Sequence, residues 1–140
     1  MKGLVCVEVV RGKGAWALLV LRMVAGPAFF LHGWPKIQNA FGWMGDGVPG
    51  WLQGLAAFAE FGGGIALLVG LLTQLAALGI GCVMLYAIFL IHIPHGDPFV
   101  GKGGGSWEPA ADYLAIMIAL MLRGAGAISL DGLLFGKKEN

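Results

Sequence analysis

Charge is scarce in this sequence. Only 12% of the 140 residues are charged, against roughly 25% in an ordinary soluble domain. The 9 basic and 8 acidic residues nearly cancel, leaving a net charge of +1, so there is no cationic surplus to hold a polyanion and nucleic acid is not expected as a partner. Cysteine is almost missing as well. Cys6 and Cys82 form no close-spaced pair and match no metal or redox motif, so both are read as structural. No haem, flavin or iron–sulfur signature is present, and no Ser/His/Asp set supports hydrolase chemistry, so no intrinsic cofactor is expected. An A-x-A-like cleavage site is also lacking after the first apolar run, which is therefore kept as a spanning segment.

What fills the chain instead is apolar. Hydrophobic residues make up 58% of it, and most of the 25 glycines interrupt runs of Leu, Ala, Val, Ile and Phe, as they do in membrane helices. A helix crosses a bilayer core with roughly 20 mainly apolar residues, and four segments approach that length: about 15–33, 52–72, 74–93 and 109–130, the last with its strong core only at Tyr113–Leu122. The expected fold is all-α, an integral membrane four-helix bundle over residues 15–131, preceded by a segment 1–14 and followed by a tail 132–140.

Lys2, Arg11 and Lys13 lie before the first span and Lys137 and Lys138 after the last, so both termini are expected in the cytoplasm. The connection near Thr73 is then a tight inner turn that makes the second and third helices antiparallel neighbours. Trp34, Trp43, Trp51 and Trp107 fall at the outer side, where interfacial anchoring explains them. Gly101–Ser106 lacks phosphate-loop spacing and reads as a flexible loop or lid.

Polar residues within apolar runs are the default functional candidates, because an unpaired charge at membrane depth is costly. Arg22 and Glu60 stand near the middles of the first two spans, at depths differing by only on the order of 5 Å, and an Arg22–Glu60 ion pair is expected. Gly26 and Gly64, one turn from each, allow the two helices to approach closely. A second strip, Ala59, Gly63, Ala66 and Gly70, offers room for another helix or a second copy of the chain, and a homo-oligomer is expected. In the fourth helix Glu108, Asp112, Ala115, Ala119 and Arg123 share a stripe expected to face the interior near the outer side, with Arg123 reaching the cytoplasmic surface. Tyr86 and His92 lie near the outer end of the third helix, so His32, Lys36, His92, His95, Glu108 and Asp112 are expected to gather at an outer mouth. Their spacing lacks a metal-ligand pattern, and no metal site is assigned.

The ordered set Arg22-x-x-x-Gly26, His32-Gly33-x-x-Lys36, Glu60-x-x-Gly63-Gly64, Gly70-Leu71-x-Thr73, His92, Glu108 and Gly124-x-Gly126-x-x-Ser129-Leu130-Asp131 resembles the DoxX family of small four-helix membrane proteins. The resemblance covers about residues 15–131, with Gln74 standing where the family often has a basic residue. It implies a multi-pass protein of the inner (plasma) membrane and, for some relatives, the membrane subunit of a thiosulfate:quinone oxidoreductase or another redox assembly. The polar positions matched to the family are Arg22, His32, Lys36, Glu60, His92, Glu108, Ser129 and Asp131. The expectation is a non-autonomous, quinone-linked oxidoreductase subunit with Glu60, Arg22 and His92 as catalytic groups. His32, Lys36, Tyr86, Glu108 and Asp112 would bind the ligand, and electrons would come from a soluble or membrane redox partner. Binding or transport of a small solute or lipid, and a membrane scaffold without catalysis, are the alternatives.

Overall fold

The computed structural model describes residues 9–136. Its elements are α1 (Lys13–Ile37), α2 (Gly50–Val69), α3 (Thr73–His95), α4 (Glu108–Arg123) and a short α5 (Leu130–Phe135). No strand occurs among the described residues. The helices α1, α2 and α3 are long and apolar enough to cross a membrane. The outward faces carry Val20, Leu31, Phe58, Leu75 and Leu122, all exposed, while much of the interior is small: Ala15, Ala25, Ala57 and Ala77. That inversion of the soluble pattern suits a bundle whose solvent is lipid and whose helices associate by close packing.

The chain folds as an antiparallel succession in which α1 packs on α2, α2 on α3 and α3 on α4, and α4 returns to α1 through Phe29 and Tyr113, edge to face at 4.9 Å. Small residues set the first contact. A methyl group at Gly64 would collide with the Phe30 backbone nitrogen and lie 2.9 Å from the Gly26 carbonyl oxygen, and one at Gly33 would collide with the Phe61 backbone. The α1–α2 close approach expected from Gly26 and Gly64 is therefore present. Gly63 does the same for α3, where an added methyl would meet the Ile80 side chain at 2.9 Å.

Three sequence expectations need correction. The fourth apolar segment does not run to residue 130. Its helix ends at Arg123, and its 16 residues span about 24 Å, short of the roughly 30 Å hydrocarbon core. Gly124 and Gly126, both at positive φ, then turn the chain across the end of the bundle. The boundary expected at residue 131 falls inside α5, while residues 1–8 of the expected N-terminal segment and 137–140 of the tail lie outside the described residues. Finally, the interior stripe of α4 is Ala110, Met117 and Leu120, whereas Asp112 and Ala115 are exposed; Arg123 is at the surface, as expected. Packing of α4 on the apolar face of α3 selects its large apolar side chains and rotates the charged stripe outward.

The α2–α3 turn is built by residues far apart in sequence. Gly70 closes α2 in the left-handed region (φ 68°), with its N–H and that of Leu71 on the Ala66 carbonyl. Leu72 also takes positive φ (50°), a conformation unfavourable for a side chain of its size. Asp131 holds it there: its carboxylate accepts the Leu72 N–H at 2.7 Å and the Thr73 N–H at 2.9 Å, capping α3, while the Asp131 N–H donates to the Gly70 carbonyl at 2.8 Å. Ser129 caps α5 in turn, accepting the Gly132 N–H at 2.9 Å. Asp131→Ala is expected to cost about 1–2 kcal/mol, the usual range for a lost cap, and to speed tryptic cleavage after Arg123. An unchanged cleavage rate would show that the closing segment is held without it.

Near its C-terminal end α3 widens into π-helical geometry over Ala87–His92. Pro94 is the cause. It has no N–H and its ring would crowd the carbonyl four residues back, so the bonding shifts and the Ile93 N–H reaches the Ile88 carbonyl instead. This wider turn borders the cavity described next.

Candidate ligand site at the Lys36–Glu60 pair

From the turn that joins them α2 and α3 diverge. Gly63 and Ile80 touch, Ala59 lies against Gly79, and beyond them the helices frame a cavity of about 650 Å³. Its walls are mostly apolar. Phe29 comes from α1, Leu52, Ala56 and Ala59 from α2, Val83 and Met84 from α3, and Ala110 from α4.

Its polar groups include an ion pair. Lys36 Nζ lies 2.6 Å from both carboxylate oxygens of Glu60, whose side chain is buried while the lysine reaches the rim. The Trp43 ring covers the ammonium, its centroid 4.5 Å from Nζ, adding a cation–π contact. Gln53, fully buried, fixes that covering loop. Its Oε1 accepts the Met44 N–H at 2.7 Å, its Nε2 donates to the Gly45 and Val48 carbonyls at 2.8 and 2.7 Å, and its own carbonyl accepts the Trp43 indole N–H at 3.1 Å. One buried amide thus folds the α1–α2 connection over the cavity, with every hydrogen-bonding atom of that side chain in use.

The expected Arg22–Glu60 pair does not form. The glycine contacts set a register in which Gly33 faces Phe61 and Arg22 faces Gly70, where an added methyl would collide with the guanidinium. Arg22 therefore lies about eleven residues, roughly 16 Å, along α1 from the level of Glu60. The depth estimate went astray because α1 extends to Ile37, which carries Lys36 into the bundle where a loop was expected. Arg22 is buried at the α2–α3 turn and donates through Nη2 to the Ile128 carbonyl at 2.7 Å.

Of the other expected site residues, His32, Lys36, Tyr86 and His92 line the cavity, joined by Tyr113 and Ser106. His95, Glu108 and Asp112 do not. His92 Nδ1 meets Asp97 Oδ2 at 2.7 Å, and His95, largely exposed, meets Oδ1 at 3.2 Å. The His92 hydrogen bond, with a smaller electrostatic contribution from His95, holds the Asp97 carboxyl below the usual aspartate range. Among the described residues no group of three His, Cys, Asp or Glu side chains is placed to hold a metal ion.

Sequence reasoning passed over Gln53, Asp97 and Tyr113 and gave Trp43 only an anchoring role. A signal for Gln53 was available, since it lies on the same helical stripe as Ala57, Glu60, Gly64 and Leu67, all buried.

The sequence profile of the DoxX family matches residues 17–93, which include α2, most of α1 and both members of the ion pair. The chain is 32% identical over 121 residues to an inner membrane protein of Escherichia coli, YqjF, covering 84% of this chain and 91% of that one. It is 30% identical over 128 residues to CatD of Bacillus subtilis, covering 87% and 90%, whose name describes it as a "putative oxidoreductase". No solved structure matches the chain significantly. With more than half of its length matched by the family profile and relatives aligned over nearly their whole length, this helical membrane protein belongs to the DoxX family.

Proposed function

We propose that this protein is the membrane subunit of a quinone-linked redox system. On this reading it is multi-pass in the inner (plasma) membrane with both termini cytoplasmic, and a partner protein supplies the electrons. The observation that carries the reading is an apolar cavity with a lysine–carboxylate pair in its wall. Such a site accepts an apolar ring and offers its oxygens charge and protons. A bound quinone takes up two electrons from the partner's donor and two protons, and leaves as the quinol.

The residues divide that work. Lys36, at the rim and under Trp43, directs its ammonium donors at a ring oxygen. Glu60, 2.6 Å from that ammonium, accepts and returns a proton at its carboxylate. Tyr113 and His32 offer further hydrogen bonds from the α4 and α1 sides. His92 is oriented by Asp97 at Nδ1, so its Nε2 remains for the ligand or for proton exchange with the outer loop. Arg22, remote from all of these, has no part in the reaction. The name of the Bacillus subtilis relative favours redox chemistry over the alternative, carriage of a lipid or small solute through the same cavity.

Mass spectrometry of the organic extract from protein purified in mild detergent tests the reading. A stoichiometric quinone is expected in the wild type and its depletion in Glu60→Gln at matched loading. Bulk phospholipid alone in both samples would move the assignment to lipid carriage or scaffolding.

A further inference from the structure

The cavity has a side opening as well as an end. Leu55 on α2 and Cys82 on α3 both line it, yet both are exposed on the outer surface of the bundle, Leu55 to 60%. The gap between them is bordered by Ala56, and the contact of Ala59 with Gly79 closes it on the side of the α2–α3 turn. Around the opening the outer surface is apolar, with Phe58 on α2 and Leu78 and Leu85 on α3 exposed beside it. In a membrane bundle that surface is covered by lipid chains, so the gap faces hydrocarbon and not water. Lys36 and Glu60 line the same cavity as Leu55, Ala56 and Cys82 at this gap.

Resting on the quinone reading, we infer that the site is loaded sideways from the bilayer, between α2 and α3 past Cys82. Its ligand class is then a ring with hydrogen-bonding oxygens that carries a long apolar tail, and the tail leaves through the same gap. A ligand bound in this way keeps its tail in hydrocarbon throughout. The ring alone crosses from lipid to the polar groups, with no passage through the loop fixed by Gln53. Tail contact therefore adds little affinity, since lipid solvates the chain equally well on either side of the gap. What the gap imposes is a steric requirement, and that is what an experiment can read.

Two fully substituted quinones serve as probes: decylubiquinone, with a tail, and duroquinone, without one. Each is titrated into protein in lipid nanodiscs, with correction for partition into empty discs. Cys82→Phe narrows the gap from an exposed position, and the ratio of the decylubiquinone Kd to the duroquinone Kd is expected to rise about tenfold. In Cys6→Ser protein, decylubiquinone should also slow alkylation of Cys82 by N-ethylmaleimide while duroquinone does not, a readout independent of how Cys82→Phe folds. An unchanged ratio together with equal protection by both probes would overturn lateral loading. The quinone reading would survive that result provided that both probes bind the wild type and lose affinity in Glu60→Gln. Failure of both probes to bind the wild type would overturn the quinone reading, and this inference with it.

Discussion

Lys36→Met should lower the stability of the detergent-solubilised protein by about 3 kcal/mol, the lower end of what removing one partner of a buried ion pair costs. The lower end applies because the lysine side chain retains 22% of its exposure, whereas that of Glu60 keeps only 3%. The loss comes mainly from what is left behind: a carboxylate enclosed by α1, α2 and the loop under Trp43, with its cation gone. The double change Lys36→Met/Glu60→Met removes that stranded charge and should recover more than half of the loss. Strictly additive effects in an SDS-titration unfolding experiment would show that the pair is not coupled. In the same variants Arg22→Met should show no coupling to Glu60, because the register of α1 and α2 separates them.

The second large effect concerns that register. Gly64→Ala should destabilise the bundle by about 3 kcal/mol, at the upper end of the usual cost of overpacking. The added carbon meets the Phe30 backbone nitrogen and the Gly26 carbonyl, atoms that cannot rotate away as a side chain could. α1 must then move off α2 along its length, which would also pull Lys36 from Glu60. Gly62, two residues earlier on the same helix, is exposed and has nothing within 4 Å of an added methyl. Gly62→Ala should therefore be neutral or stabilising by up to about 1 kcal/mol through helix propensity alone. Thermal unfolding of the two variants side by side checks the contrast, and equal shifts would argue against a packing origin.

The helical framework was legible because its signals are local: apolar length marks a span, and a glycine one turn from a buried charge marks a close contact. The tight α2–α3 turn and the Gly26–Gly64 approach follow from such signals. The pairing of charges did not follow, because it depends on how far α1 continues beyond the apolar run. The extra turn through Trp34, Pro35 and Lys36 is helical only because it packs beside α2, and it exchanges the cation expected opposite Glu60 for another. Likewise, the charged stripe of α4 has proper helical spacing, but spacing alone does not say which face α3 will cover. Glu108 and Asp112 were assigned to the site on that assumption and lie outside the cavity. Asp131, included through the family resemblance alone, has its position explained only by a turn 58 residues upstream.

The bond from Arg22 to the Ile128 carbonyl has a consequence for how the protein is made. α1 is synthesised before α2, α3 and α4, and the carbonyl that receives its guanidinium follows 106 residues later. An arginine on an isolated span is held at a considerable cost in free energy unless it finds water or a partner, so until then α1 stays drawn towards the membrane surface. Pairing with α2 through glycine contacts can begin once that hairpin exists, but settling Arg22 to its final depth awaits the segment that follows α4. Arg22 thus meets its final partner only after the segment beyond α4 has been made, and a chain ending at Arg123 would lack the carbonyl that receives it.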